Sequence, residues 1–214
     1  MKKEIDLLFV RHAQSNGNLG ITENGFHKDD PRLSAEGESQ AKKLAQSFSD
    51  GQLDAIYSIS LIRACQTVEP TAEKLGIRVR VLRELMEVGT SIANTPPMLA
   101  EKYAPNSYES LKTLNEQKPV FDPSDETDPV CEKRAAFCIN KITGAAEDGD
   151  RILICSHGAF LGYLIRCSLG LSLPEKFNWE IDNCGVFHIR INKGSIPTLV
   201  SSNNRIHLNT VEEE

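Results

Sequence analysis

The chain has 214 residues, 40% hydrophobic and 25% charged, which is ordinary for a globular protein with one sizeable core and excludes a disordered polymer. A formal net charge of −6 argues against a general nucleic-acid binder, which needs a basic face to displace counterions from phosphates. The first apolar run is short and stops at Arg11, so neither an export signal nor a membrane span is expected; six cysteines without CxxC or zinc-finger spacing then read as reduced thiols in a cytoplasmic protein.

Leu7 to Val10 is a continuous apolar run that suits a strand covered on both faces. Ser34 can cap a helix whose apolar positions are Ala41, Leu44, Ala45 and Phe48, ended by Asp50-Gly51. Asp54 to Ser58 reads as a second strand. Leu61, Ala64, Val68, Ala72 and Leu75 outline a helix interrupted by Pro70 and closed at Gly76, and Ile77, Val79 and Val81 alternate as in a strand with one solvated side. Asp128-Pro129 opens a helix with Cys131, Ala135, Cys138, Ile142 and Ala145 on one stripe. Ile152 to Cys155 is a second fully apolar strand, and Ala159 to Leu169 a helix ending at Gly170. Gly185 to Ile191 alternates, turns near Lys193-Gly194 and resumes from Thr198 to Ser201, as an antiparallel hairpin at a sheet edge would.

Strands alternating with helices imply an α/β fold: a mostly parallel central sheet with helices on both faces and an antiparallel edge, in a single domain over 1–214. Residues 89–127 break this order. They are polar and proline-bearing, with at most a short helix near Pro97 to Tyr103, and read as a lid-like insertion.

Two of the apolar strands run into histidine, as Phe9-Val10-Arg11-His12 and as Ile154-Cys155-Ser156-His157-Gly158. The carboxyl ends of parallel strands share one rim, where α/β proteins place ligands, so the two histidines point to a common pocket. Arg63, in a helix that starts just after a strand, belongs to the same rim.

In these blocks the chain resembles the histidine phosphatase superfamily, also called phosphoglycerate mutase-like. Arg11-His12-Ala13 with Gln14, Ser15 and Asn18 stands for its RHGxTxxN pattern, with alanine in place of the common glycine and glutamine in place of the common glutamate. Leu33-Ser34-Ala35-Glu36-Gly37 with Gln40-Ala41, then Arg63-Ala64-Cys65-Gln66-Thr67, Leu82-Arg83-Glu84 and Ser156-His157-Gly158 follow in the family's order. The Trp-Glu-Gly element that usually follows the acid block is not clearly found.

The resemblance implies a phosphatase without cofactor or metal, acting on a small phosphomonoester; charge and the short first apolar run imply that it binds neither nucleic acid nor membrane. It assigns the nucleophile to His12 and the leaving-group acid to Glu84, with Glu87 a nearby competitor. A phosphoryl group spreads charge over its oxygens, so Arg11, Arg63, a protonated His157 and the N–H groups at the start of the Ala159 helix would hold it. Ser15, Asn18 and Gly158 are further substrate-binding candidates. His27, His188 and His207 match no block, and Cys65 reads as packing on its helix.

Two alternatives stay open. A phosphoglycerate mutase would retain the phosphate and favour extra basic residues in the insertion, which carries only Lys102, Lys112 and Lys118 against six acidic residues. A catalytically silent phosphoprotein-binding module would have no need for a nucleophile. The oligomeric state, homodimer included, is open.

Overall fold

The computed structural model describes residues 3–89, 95–116, 120–121, 126–171, 179–192 and 194–209. Strands β1 (Glu4–Arg11), β2 (Ala55–Ser58), β3 (Val79–Val81), β4 (Arg151–Ser156), β5 (Val186–Asn192) and β6 (Thr198–Asn204) form one sheet in the order β3-β2-β4-β1-β5-β6. The pairs β3·β2, β2·β4 and β4·β1 are parallel, while β1·β5 and β5·β6 are antiparallel. The two continuous apolar runs, β1 and β4, lie side by side in the middle, as strands that need cover on both faces must.

That cover comes from α1 (Ala35–Gln46) packed on α2 (Ile62–Leu75), and from α5 (Asp128–Gly144) packed on α6 (Gly158–Ser168). Right-handed crossovers place the first pair and α5 on opposite faces. Leu7, Phe9, Ile56, Leu153 and Ile154 of the sheet, with Leu44, Val68, Ile142, Phe160 and Leu164 of the helices, are fully buried in the common core. Pro70 does not interrupt α2; the helix runs through it to Gly76, which adopts the left-handed conformation (φ 64°) and caps the end. Among the described residues, no helix is long and apolar enough to cross a membrane.

The described part of the insertion is more helical than expected. After α3 (Pro97–Tyr103) comes a further helix, α4 (Pro105–Asn115), which buries Leu111 and Leu114. It packs over the edge strand β3, whose Val81 N–H donates to Ser110 Oγ at 2.7 Å. A helix laid along an edge strand satisfies backbone groups that would otherwise be exposed. The remaining insertion positions, Lys118 among them, and Lys193 of the expected turn lie outside the described residues.

Candidate active site

The β1·β4 ladder pairs Val10 with Cys155 and Arg11 with Ser156. The next residue on each strand is a histidine, so backbone register alone brings His12 and His157 together. The His12 N–H donates to Ser156 O at 3.0 Å, and the two rings meet edge to face with centroids 4.8 Å apart. Both are almost wholly buried, at 4% and 2% exposure.

The Nδ1 of His12 lies 2.8 Å from its neighbour's carbonyl, Ala13 O. A carbonyl only accepts, so Nδ1 carries the proton and the lone pair is left on Nε2. Burial first, then the charges of Arg63 and Arg11, hold the His12 pKa down to about 3, against the Ala13 contact, which raises it. Burial, His12 and the same two arginines hold His157 well below the usual histidine range. The protonated His157 expected from the sequence is therefore disfavoured here, by its burial and by these neighbours.

Arg11 donates through Nη1 to Ile181 O at 2.8 Å, while its Nε and the Nε2 of His157 are buried without a hydrogen-bond partner. Buried polar atoms left unmatched at one point are what an incoming acceptor would satisfy. Arg63, near the start of α2, donates to Asp29 O at 2.9 Å and lies 3.7 Å from the buried carboxylate of Asp30. Asp30 also accepts the Ile62 N–H at 2.8 Å and the Thr95 hydroxyl. It thus ties the guanidinium to the helix start that carries it.

The second and third family-like blocks scaffold the first. Ser34 caps α1 by accepting from the Gly37 N–H, and its own N–H and hydroxyl donate to Gln14 O. A Cβ on Gly37 would stand 1.9 Å from that same oxygen, so only glycine lets α1 approach. Gln40 Oε1 accepts the Gln14 N–H, Thr67 Oγ1 the Ala13 N–H and Gln66 Oε1 the Leu33 N–H, each at 2.9–3.0 Å. The described non-glycine residues with positive φ are Cys184 and Asn203, so Ala13 takes its place after His12 without the left-handed strain that would require glycine.

Arg11, His12, Ser15, Asn18, Arg63, His157 and Gly158 all line one open cavity of about 630 Å³. Ser15 and Asn18 form a reciprocal capping box that engages Asn18 Oδ1 and leaves the Nδ2 amide outside it. Lys28, Asp29, Trp179, Glu180 and Asp182 also line the cavity and were not foreseen. They come from two loops whose only sequence signal is scattered charge. No described residue of the insertion lines it. Cys65 is buried and its thiol is pushed up to about 12, so it packs rather than reacts.

The acid block needs correction. Glu84 is buried at 8% exposure and lines a different cavity, of about 320 Å³, with Arg83, Ser110, Leu114 and Lys141. A 3-10 turn spans Arg83–Leu85, but Met86 leaves it extended (φ −63°, ψ 153°), so Glu87 does not stack over Glu84 and lines the histidine cavity instead. Its carboxylate accepts the Phe160 N–H at 2.9 Å and the Ala159 N–H at 3.3 Å. Those two donors at the start of α6, expected to face a phosphate, are engaged by Glu87.

A sheet of this topology, with buried neutral histidines and fixed guanidinium groups converging at the carboxyl ends of its two central strands, defines an α/β enzyme that handles phosphate. The sequence narrows this further: residues 7–205 match the profile of the histidine phosphatase superfamily (branch 1), and the chain belongs to that superfamily. Phosphoserine phosphatase 1 of Hydrogenobacter thermophilus is 27% identical over 187 residues, covering 84% of this chain and 83% of the relative. A probable phosphoglycerate mutase GpmB of Yersinia enterocolitica is 25% identical, with 86% and 84% covered. The fold is shared with the crystal structure of phosphoserine phosphatase from Entamoeba histolytica, at a TM-score of 0.65, 24% identity and coverage of 95% and 99%.

Proposed function

We propose that the protein hydrolyses a small phosphomonoester through a phosphohistidine on His12, with Glu87 as the proton donor and no metal requirement. The observation that carries this reading is the His12 imidazole, fixed by Ala13 O with its lone pair on Nε2 and held neutral beside two arginines. Nε2 attacks phosphorus, the bond to the leaving oxygen breaks, and that oxygen takes the proton of Glu87. Water then attacks the phosphohistidine, the P–N electron pair returns to Nε2, and Glu87 recovers a proton from the water. Arg11, Arg63, the Asn18 amide and His157 hold the three phosphoryl oxygens, and a bound dianion favours the protonated form of His157.

The names of the relatives divide between phosphatase and mutase, and the cavity favours hydrolysis. Beyond Arg11 and Arg63, its described lining adds one lysine, Lys28, against the carboxylates of Asp29, Glu87, Glu180 and Asp182. A mutase must hold a second phosphate, and one exposed lysine among four carboxylates is poorly suited to that. Six free cysteines agree with a reducing cytoplasm. Brief reaction with labelled phosphomonoester and an acid-avoiding quench should leave label on His12, with activity unchanged in excess EDTA and no interconversion of phosphoglycerates. Label on serine or cysteine, or on no residue, refutes the mechanism.

A further inference from the structure

Glu87 belongs to a short loop that the Ser156 hydroxyl holds at Leu85 O, and a second set of contacts grips its backbone from outside the cavity. Arg134 Nη1 donates to two of its carbonyls, Glu84 O at 2.7 Å and Met86 O at 2.6 Å. The Nε and Nη2 of the same guanidinium pair with the two oxygens of Glu126 at 2.5 and 2.8 Å. Glu126 in turn accepts the Gly89 N–H at 3.2 Å. One ion pair therefore grips the backbone on both sides of Glu87. The face of the guanidinium also lies 3.6 Å from the centre of the Phe160 ring, and the Phe160 N–H donates to the Glu87 carboxylate at 2.9 Å.

Both partners are buried, with side-chain exposures of 2% and 0%. Arg134 sits in the apolar stripe of α5, three residues after Cys131 and four before Cys138. A buried ion pair is seldom more stabilising than apolar side chains of the same volume, so packing alone gives no reason for it. What an apolar residue could not supply is direction: donors aimed at two carbonyls of one loop, and an acceptor aimed at its next free N–H.

We infer that the Arg134–Glu126 pair is the positioning device for the general acid, registering Glu87 against the start of α6 so that its carboxyl group meets the leaving oxygen. The inference rests on the assignment of the acid to Glu87. Proton transfer needs heavy atoms within hydrogen-bond reach, and a misplacement of about 1 Å can cost roughly a hundredfold. The device acts on protonation of the leaving group and leaves the attack by His12 intact.

The test is the substitution Arg134→Lys, which keeps a charge for Glu126 but cannot reproduce the planar fork. kcat/KM is measured with an alkyl phosphate, whose leaving group needs a proton, and with p-nitrophenyl phosphate, whose leaving group does not. The alkyl-to-aryl ratio should fall at least roughly tenfold while the aryl rate stays within about threefold. In a Glu87→Gln background the same substitution should change the ratio no further, because the two act through one group. Should Arg134→Lys fail to fold, Glu126→Gln keeps the shape of the carboxylate, and the same pattern is expected of it. Equal losses on both substrates, or a ratio loss that multiplies with that of Glu87→Gln, overturns the inference. If Glu87→Gln lowers the ratio and neither variant of the pair does, only the positioning role falls. If Glu87→Gln leaves the ratio unchanged, the acid assignment falls and takes this inference with it.

Discussion

The neutral histidine pair makes the fold sensitive to acid in a way that can be measured. An imidazole takes up a proton at its ordinary value of 6.5 once the chain unfolds, whereas His12 in the fold resists protonation down to about 3. The unfolded state therefore binds more protons through this window, so stability is complete above about pH 6.5 and is lost as pH falls toward 3. At pH 5 the unfolded imidazole is almost fully protonated and the folded one is not. The loss relative to pH 8 is then about 2 kcal/mol for His12, from ~1.4 kcal/mol per pH unit. His157, depressed in the same direction by burial, by His12 and by the same arginines, adds a loss of the same sign. The His12 contribution alone is a sizeable part of the 5–15 kcal/mol that holds a typical domain. Urea unfolding at pH 8 and pH 5 checks this with wild type, His12→Gln and His157→Gln, because carboxylates common to all three cancel in the comparison. His12→Gln should show an acid loss ~2 kcal/mol smaller than wild type, and His157→Gln a loss reduced in the same direction. Acid losses identical across the three proteins would mean that the imidazoles are protonated in the fold, and the account of their burial would be wrong.

Glu87→Gln should cost on the order of a hundredfold to ten-thousandfold in kcat/KM with an alkyl phosphate and much less with p-nitrophenyl phosphate, whereas Glu84→Gln should cost little with either; the reverse pattern would restore the acid to Glu84. Gly37→Ala drives a methyl group into Gln14 O and should lower stability by ~1–3 kcal/mol while weakening turnover, since residue 14 continues the turn that carries His12; an unchanged melting temperature would contradict the close approach. Arg63→Ala should reduce kcat/KM roughly a hundredfold or more, and a loss of tenfold or less would place the guanidinium away from the phosphoryl oxygens.

The sheet and its two histidines were legible because they rest on the strongest local signals: unbroken apolar runs ending in residues that resist burial. Ser34, Gly76 and Pro129 likewise marked helix ends by their own conformational preferences. Helix α4 was hidden because it buries little beyond Leu111 and Leu114 against an edge strand, too few positions to establish a period. The choice between two candidate acids was left open for a different reason. Glu84 and Glu87 are three residues apart, and the choice between them depends on one extended residue, Met86, whose conformation leaves no trace in spacing. Lys28 and Asp182 reach the cavity from loops far apart in the chain, and no periodic pattern can announce a meeting that only tertiary packing creates. Arg134 did leave a mark, as a charge within the stripe from Cys131 to Cys138, and such a residue asks what it is paired with.

The β1·β4 ladder gives activity a second use, as a clock for folding. A slip of one residue in that pairing would turn every side chain of a strand to the opposite face and separate the two imidazoles. Most of the chain lies between Arg11 and Ser156, so this pairing closes a long loop and belongs to the slow, non-local class of contacts. Release of p-nitrophenolate as the phosphohistidine forms, which asks for the strand-end histidines and little from the acid loop, should begin in a refolding chain only when the long loop between the two strands has closed. Release of the alcohol from an alkyl phosphate should begin later, when α5 has docked and Arg134 has gripped the residues around Glu87. Two substrates followed in one refolding experiment would therefore time two separate events, the closing of the sheet and the seating of a helix upon it.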